Sequence, residues 1–262
     1  MRKKFINKVS EKLIPENNMK LEYVLTSCNL NNLYCDFIPI FIRAWNKIVP
    51  GIKIKIVLIA EDIPEKINEY KDNIILFKPI EDIPTSYISQ YIRILYPSLL
   101  NSENGVLITD IDMIPMNKEY YTEQIKFFEK NKFIYYKEYI YPKPKQYMLC
   151  YHIACSKIWS EVFNISKLED IVDRLKDRYR KEWTCDQQDL YIYINKWSKK
   201  EKDFVMLNDK ITKFNRLCRA RFPALNDNII NKIKSGFYTD YHMLRPHEGN
   251  NKIINEKILE II

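Results

Sequence analysis

The sequence predicts a single α/β domain, and three observations carry that reading. Short apolar runs alternate with stretches of helical periodicity through the first half of the chain. The run Val106–Leu107–Ile108 is punctuated by Gly105 and Pro115, as a strand covered on both faces would be. A chain of 262 residues is long enough to bury one full core.

The elements follow in order. Residues 1–18 are polar and charged and are expected to form a loose arm or short helix, with the folded domain over 19–262. Leu21–Thr26 reads as the first strand, and an Asn-rich turn follows it. Asp36 is positioned to cap a helix whose apolar face is Phe37, Phe41, Trp45 and Ile48, with Pro39 tolerated in its first turn and Pro50–Gly51 ending it. Ile52–Ala60 and Asn73–Phe77 are the next strands. A helix then runs from Thr85 or Ser86 to Leu95, burying Ile88, Tyr91, Ile92 and Leu95, while Ser86, Gln90 and Arg93 share a polar face. Phe133–Tyr136 and Tyr147–Ala154 are further strands, separated by a Pro/Lys/Tyr loop from Tyr139 to Lys145 that could meet a substrate. Ser166-x-x-Glu169 is a capping-box pattern opening an amphipathic helix. Trp183–Leu190 carries a second pair of carboxylates, Asp186 and Asp189, into a helix ending near Trp197, with Asp186 a plausible cap.

Composition narrows the function. Lys and Arg number 42 against 34 Asp and Glu, a formal charge of +8, which favours an anionic partner. Only 4 glycines are present, and neither GxGxxG nor GxxxxGK[ST] occurs, so a glycine-rich phosphate loop is excluded. The 6 cysteines form no CxxC pair and lie far in sequence from the 3 histidines, which argues against a zinc site or a disulfide framework. The first residues lack the apolar core of a signal peptide and no run has membrane-spanning length, so a cytoplasmic protein without an integral membrane segment is expected.

Asp110 and Asp112 are the centre of the functional reading. Side chains two apart on a strand share a face, so both would project from the carboxyl end of their strand, where open α/β sheets bind ligands. Carboxylates so placed repel unless a cation lies between them, and oxygen ligation suits magnesium or manganese.

The order of the Ser86–Arg93 helix, the Gly105–Asp112 strand, the Asp186-Gln187-Gln188-Asp189 turn and His242 resembles metal-dependent glycosyltransferases of the GT-A fold. The pattern is most similar to small glycosyltransferases of large DNA viruses and bacterial polysaccharide clusters. The resemblance implies a mixed central sheet flanked by helices, a Mn2+ or Mg2+ cofactor, and transfer from a nucleotide-diphosphate sugar, a UDP-sugar first, to a glycan or glycoconjugate. It also implies the host cytoplasm as the site of action if the source is a virus. Matching motif to motif, it assigns Asp112 to the metal, Asp110 to the metal or ribose, and His242 to the metal's remaining protein ligand. Thr26, Ser27, Cys28 and Asn29 would cradle base and ribose, with Gln90 and Arg93 on the nucleotide-sugar side. Asp189 or Asp186 would act on the acceptor side, with Asp189 preferred because Asp186 is read as a cap.

A different class stays open from the residues alone. Arg216, Arg219 and Arg221, with nearby aromatics, would suit a basic nucleic-acid-binding module without catalysis. Two carboxylates at the mouth of the sheet weigh against it, since they repel phosphate unless a metal intervenes, and no nucleic-acid partner is expected. A metal-dependent nucleotidyltransferase is a third option, weakened by the missing glycine-rich loop.

Overall fold

The structure, a computed structural model, describes residues 14–138 and 145–262. The expected N-terminal arm lies outside the described residues except for 14–18, as does the Tyr139–Lys145 loop except for Lys145. Among the described residues ten strands form two sheets: β1 (Leu21–Asn29), β2 (Lys53–Ile59), β3 (Ile74–Phe77), β4 (Gly105–Ile108), β5 (Met113–Pro115), β6 (Phe133–Tyr135), β7 (His152–Ala154), β8 (Phe204–Met206), β9 (Arg216–Cys218) and β10 (Asp240–His242). Seven of them form the main sheet, in the order β3-β2-β1-β4-β7-β6-β8, and β5-β10-β9 form a smaller one. In the main sheet β7 runs antiparallel to both its neighbours and all other pairs are parallel, so the sheet is mixed.

The apolar runs explain this arrangement. Val24 to Cys28 of β1 and all of β4 are buried without alternation, because helices cover one face and the rest of the core the other. The helix Ile38–Ile48 buries Phe41, Ala44 and Trp45, each large side chain contributing about 2–3 kcal/mol by leaving water. Residues of both sheets belong to one continuous apolar cluster, including Ile114 of β5 and Tyr241 of β10. Gly105 is needed for closeness: a Cβ there would lie 2.3 Å from Cδ1 of Ile153 on β7. Among the described residues no helix is long and apolar enough to cross a membrane.

Several local expectations are corrected. Asp36 caps nothing at its amino side; it closes the short turn Asn32–Cys35, which Asn31 caps, and pairs with Lys66 at 2.9 Å. The helix expected to reach Leu95 is α-helical only over Thr85–Tyr91 and tightens to a 3-10 turn at Ile92–Ile94, with another at Tyr96–Leu99. Pro97, with no N–H to give and a ring that crowds the preceding turn, accounts for the break. The strand expected from Tyr147 begins only at His152; Tyr151, with φ +80, departs from extended geometry, although its N–H and C=O still bond Ile108 and Tyr136 on either side. In the expected capping box the carboxylate is Asp170, which accepts from the Lys167 N–H at 3.1 Å and from the Ser166 hydroxyl at 2.8 Å.

His152 sits inside the sheet, stacked on Tyr135 with ring centroids 4.2 Å apart. Burial holds its pKa down to about 3, against a bond to the Leu149 carbonyl that pulls it up. The unfolded chain takes a proton near 6.5, so stability present at neutral pH drains away as pH falls from there toward 3. Replacing His152 by glutamine should flatten that slope, measured as the urea midpoint across the acid range.

Candidate active site

Where β4 ends at Ile108, the chain does not continue as a strand through the two aspartates. Thr109 donates to the Leu25 carbonyl at 3.1 Å, Met113 donates to the Asp110 carbonyl at 3.1 Å, and Asp110–Ile111–Asp112 form a turn that carries the chain from one sheet into the other. The shared strand face expected for Asp110 and Asp112 is therefore absent. Each carboxylate meets a different set of cations.

Asp112 is buried and faces the smaller sheet. The register of that sheet sets His242 opposite both Met113 and Cys218, so the residues adjoining those two, Asp112 and Arg219, flank the imidazole. Arg219 donates to Oδ2 of Asp112, His242 Nε2 lies 3.5 Å from the same oxygen, and Arg245 lies 3.7 Å from it. The Met243 N–H donates to the Asp112 carbonyl at 2.9 Å. Burial alone would push the Asp112 carboxyl up, but His242 and Arg219 hold it well below the usual carboxylate range. The segment bearing Arg245 is pinned from beneath by buried Asn255, whose side chain bonds Tyr241 Oη at 2.6 Å and both backbone groups of Leu244, at 3.1 and 2.8 Å.

Asp110 turns the other way. Its Oδ1 accepts from Arg93, whose second guanidinium nitrogen lies 3.8 Å from Oδ2 of Asp186. Asp186 is buried, and its Oδ1 accepts from the Gln187 N–H at 2.8 Å and from Gln90 Nε2 at 3.3 Å. The same Gln90 amide donates to the Trp183 carbonyl. Burial pushes the Asp186 carboxyl up to about 7, against the pull of Arg93. Asp186 is no helix cap: Thr184 occupies that position in the helix Cys185–Lys196.

Asp189, one turn on, has the opposite environment. It is fully buried and saturated by Arg178, at 2.9 and 2.6 Å, by Arg180 at 3.1 Å and by the Tyr91 hydroxyl. Burial raises its pKa, but these donors outweigh it and leave the carboxyl below its ordinary value. The preference for Asp189 over Asp186 thus loses its ground, because the supposed cap is free of capping and the other carboxylate is fully engaged.

At the end of β1 the strand runs three residues further than expected. Thr26, Ser27 and Cys28 are consequently closed inside the core, Ser27 donating to the Ser89 carbonyl, and Asn29 is the one that reaches the open edge, bonded to Thr85 Oγ1 at 3.1 Å. Arg219 and Arg245 are the site residues that sequence reasoning did not assign. Arg219 was visible only as part of a basic cluster, and that cluster divides: Arg216 points inward to Asp240 at 3.0 Å, Arg219 meets Asp112, and Arg221 is exposed. Among the described residues no three His, Cys, Asp or Glu side chains converge as a metal site.

The fold is similar to that of the apo-form glycosyltransferase GlyE of Streptococcus pneumoniae TIGR4, with a TM-score of 0.50 at 13% identity over 91% of this chain. This chain spans 60% of the length of that GlyE chain. A galactosyltransferase, LgtC, in complex with donor and acceptor sugar analogues aligns over 91% of this chain and 94% of its own at 13% identity, with a TM-score of 0.46. No protein-family model and no curated protein sequence matches the chain. The expected fold class, GT-A-like with a mixed central sheet flanked by helices, is the one observed.

Two outcomes follow from the carboxylates. Asp189→Asn should lower stability by about 3 kcal/mol, read from urea unfolding, because it leaves Arg178 and Arg180 facing a neutral group. For Asp186, raised from 3.8 to about 7, the stability that its bound proton gives is full below 3.8 and is lost as pH climbs from there through 7. Asp186→Asn, which keeps the neutral form, should therefore gain in Tm relative to the parent between those two values and level off above them.

Proposed function

We propose that this chain is a glycosyltransferase that moves a sugar from a nucleotide diphosphate donor, a UDP-sugar in the first instance, to a glycan or glycoconjugate acceptor with the help of Mn2+ or Mg2+. One observation carries the reading: a buried carboxylate, Asp112, stands with His242 at 3.5 Å between two arginines, beyond the carboxyl end of β4. Such a site can bind a cation and an anion together, as a metal diphosphate requires.

The donor set fits a divalent ion. A carboxylate oxygen and an imidazole nitrogen already converge, and hard oxygen donors with one imidazole suit manganese or magnesium. Asp112 and His242 would hold the ion, and Asp110, which faces Arg93 in this structure, would have to turn from that arginine to add a third donor. When bound, the ion stabilises the negative charge of the departing diphosphate.

The chain's own residues do the remaining work. Arg219 and Arg245 exchange their contacts with Asp112 for phosphate oxygens, and Arg93 adds positive charge from the other side of the turn. Asp186, with its pKa near neutrality and Gln90 holding one of its oxygens, takes the proton given up by an acceptor hydroxyl as its oxygen bonds to the anomeric carbon. Asp189 supports that helix turn through Arg178, Arg180 and Tyr91. Asn29 meets the nucleoside at the open edge of β1.

Thermal unfolding with UDP or GDP, with and without manganese, tests the reading, since a ligand of the native state raises its Tm. A manganese-dependent rise with one nucleotide is expected. Asp112→Ala should abolish that rise and reduce transfer by at least about a hundredfold while the protein stays folded. Full transfer by Asp112→Ala would refute it.

A further inference from the structure

Trp183 is 67% exposed, whereas Trp45, Trp159 and Trp197 are 1%, 0% and 8% exposed. A large aromatic ring left in water with its backbone fixed is a surface offered to something. Its carbonyl accepts from Gln90, and the next residue, Thr184, accepts from Gln146 Nε2 at 3.2 Å and from Gln188 Nε2 at 3.2 Å. Two side-chain carbonyl oxygens belong to residues joined to this turn, Oε1 of Gln146, whose amide bonds Thr184, and Oε1 of Gln187 in the first turn of the helix that follows, both buried and without a partner among the described residues. Gln146 itself is only 4% exposed, and a contact from Tyr147 N–H to the Gln187 carbonyl at 3.3 Å joins the two segments. Buried acceptors without donors call for hydroxyl groups from outside.

The position selects which sugar. Contacts run one step at a time from Asp110 through Arg93 and the buried Asp186 to Gln90 and out to Trp183. The donor's sugar lies next to its phosphates, which on the reading above sit at the Asp110 end of that path. The ring at the outer, open end faces the incoming molecule. We propose that Trp183 is the stacking platform for a pyranose ring of the acceptor, with Gln146 and Gln187 accepting hydrogen bonds from its hydroxyls. This rests on the glycosyltransferase reading above and specifies the acceptor side of that site: a neutral glycan presenting the apolar face of a hexopyranose.

The test uses the full chain with UDP and manganese, titrated with methyl α- and β-glucosides, galactosides and mannosides while acrylamide quenches tryptophan fluorescence. Quencher-accessible emission comes from Trp183, since the other three rings are closed. At least one glycoside is expected to shield it, lowering the quenching constant to that of the Trp183→Phe variant. With that glycoside as acceptor, Trp183→Ala should raise the acceptor KM about tenfold with a much smaller change in kcat. Absence of shielding by every glycoside overturns the platform, and so does a rise in donor KM with the acceptor KM unmoved. Turnover by the parent protein is a separate readout: if no UDP- or GDP-hexose is consumed, the transferase reading fails, while the quenching titration still decides whether Trp183 binds sugar.

Discussion

A buried carboxylate holds the two sheets in one register. Asp240, fully buried on β10, is paired with Arg216 on β9 at 3.0 Å and accepts from the hydroxyl of Tyr151, which immediately precedes β7 of the main sheet. A carboxylate so deep is tolerable only with its charge matched and its lone pairs filled, so any slip of β10 would leave ions stranded in a low-dielectric interior. Tyr151 adopts φ +80 to reach it, a conformation costing on the order of 1–2 kcal/mol that the surrounding bonds over-determine. Once β10 is fixed, His242 stands opposite Met113 and Cys218, and Asp112 and Arg219 are carried to either side of it. The candidate site is thus a consequence of strand register at the junction.

The neighbouring carboxylates of the helix Cys185–Lys196 show how environment divides similar groups. Asp186 and Asp189 are three residues apart, both buried, and both within reach of arginine. Asp189 has two guanidinium groups and a phenol bonded to it directly, while Asp186 shares one more distant guanidinium with Asp110. The first is held ionised as a structural anchor. The second keeps a proton into the neutral range and is the one joined, through Gln90, to the turn that bears Trp183.

Much of the main sheet was legible because its signals are local. Strands β1 to β4 appear as predominantly apolar runs, broken in β1 and β2 by a few polar residues, and their boundaries move by a few residues at most. The three-residue strands β5, β9 and β10 carry too few side chains for any periodicity to register, so the smaller sheet was invisible. Arg219 and Arg245 were missed for the same reason, since their roles depend on pairings across more than a hundred residues or between segments with no pattern of their own. The inward turn of Arg216 was hidden too: nothing in a run of basic residues says which of them has a buried aspartate waiting. Asp110 and Asp112 were singled out by their place after an apolar run, although the turn that holds them separates the pair.

Gly105 has a historical implication. Every single-nucleotide replacement of a glycine codon adds at least a Cβ, and here that atom would overlap the side chain of Ile153 on the strand next to the two-aspartate turn. A replacement at 105 is easier once Ile153 has turned aside or been shortened, and the Lys20 carbonyl, 3.0 Å from the added atom, keeps even that route narrow. Position 105 is therefore expected to change rarely among descendants of this chain, and together with position 153 when it does.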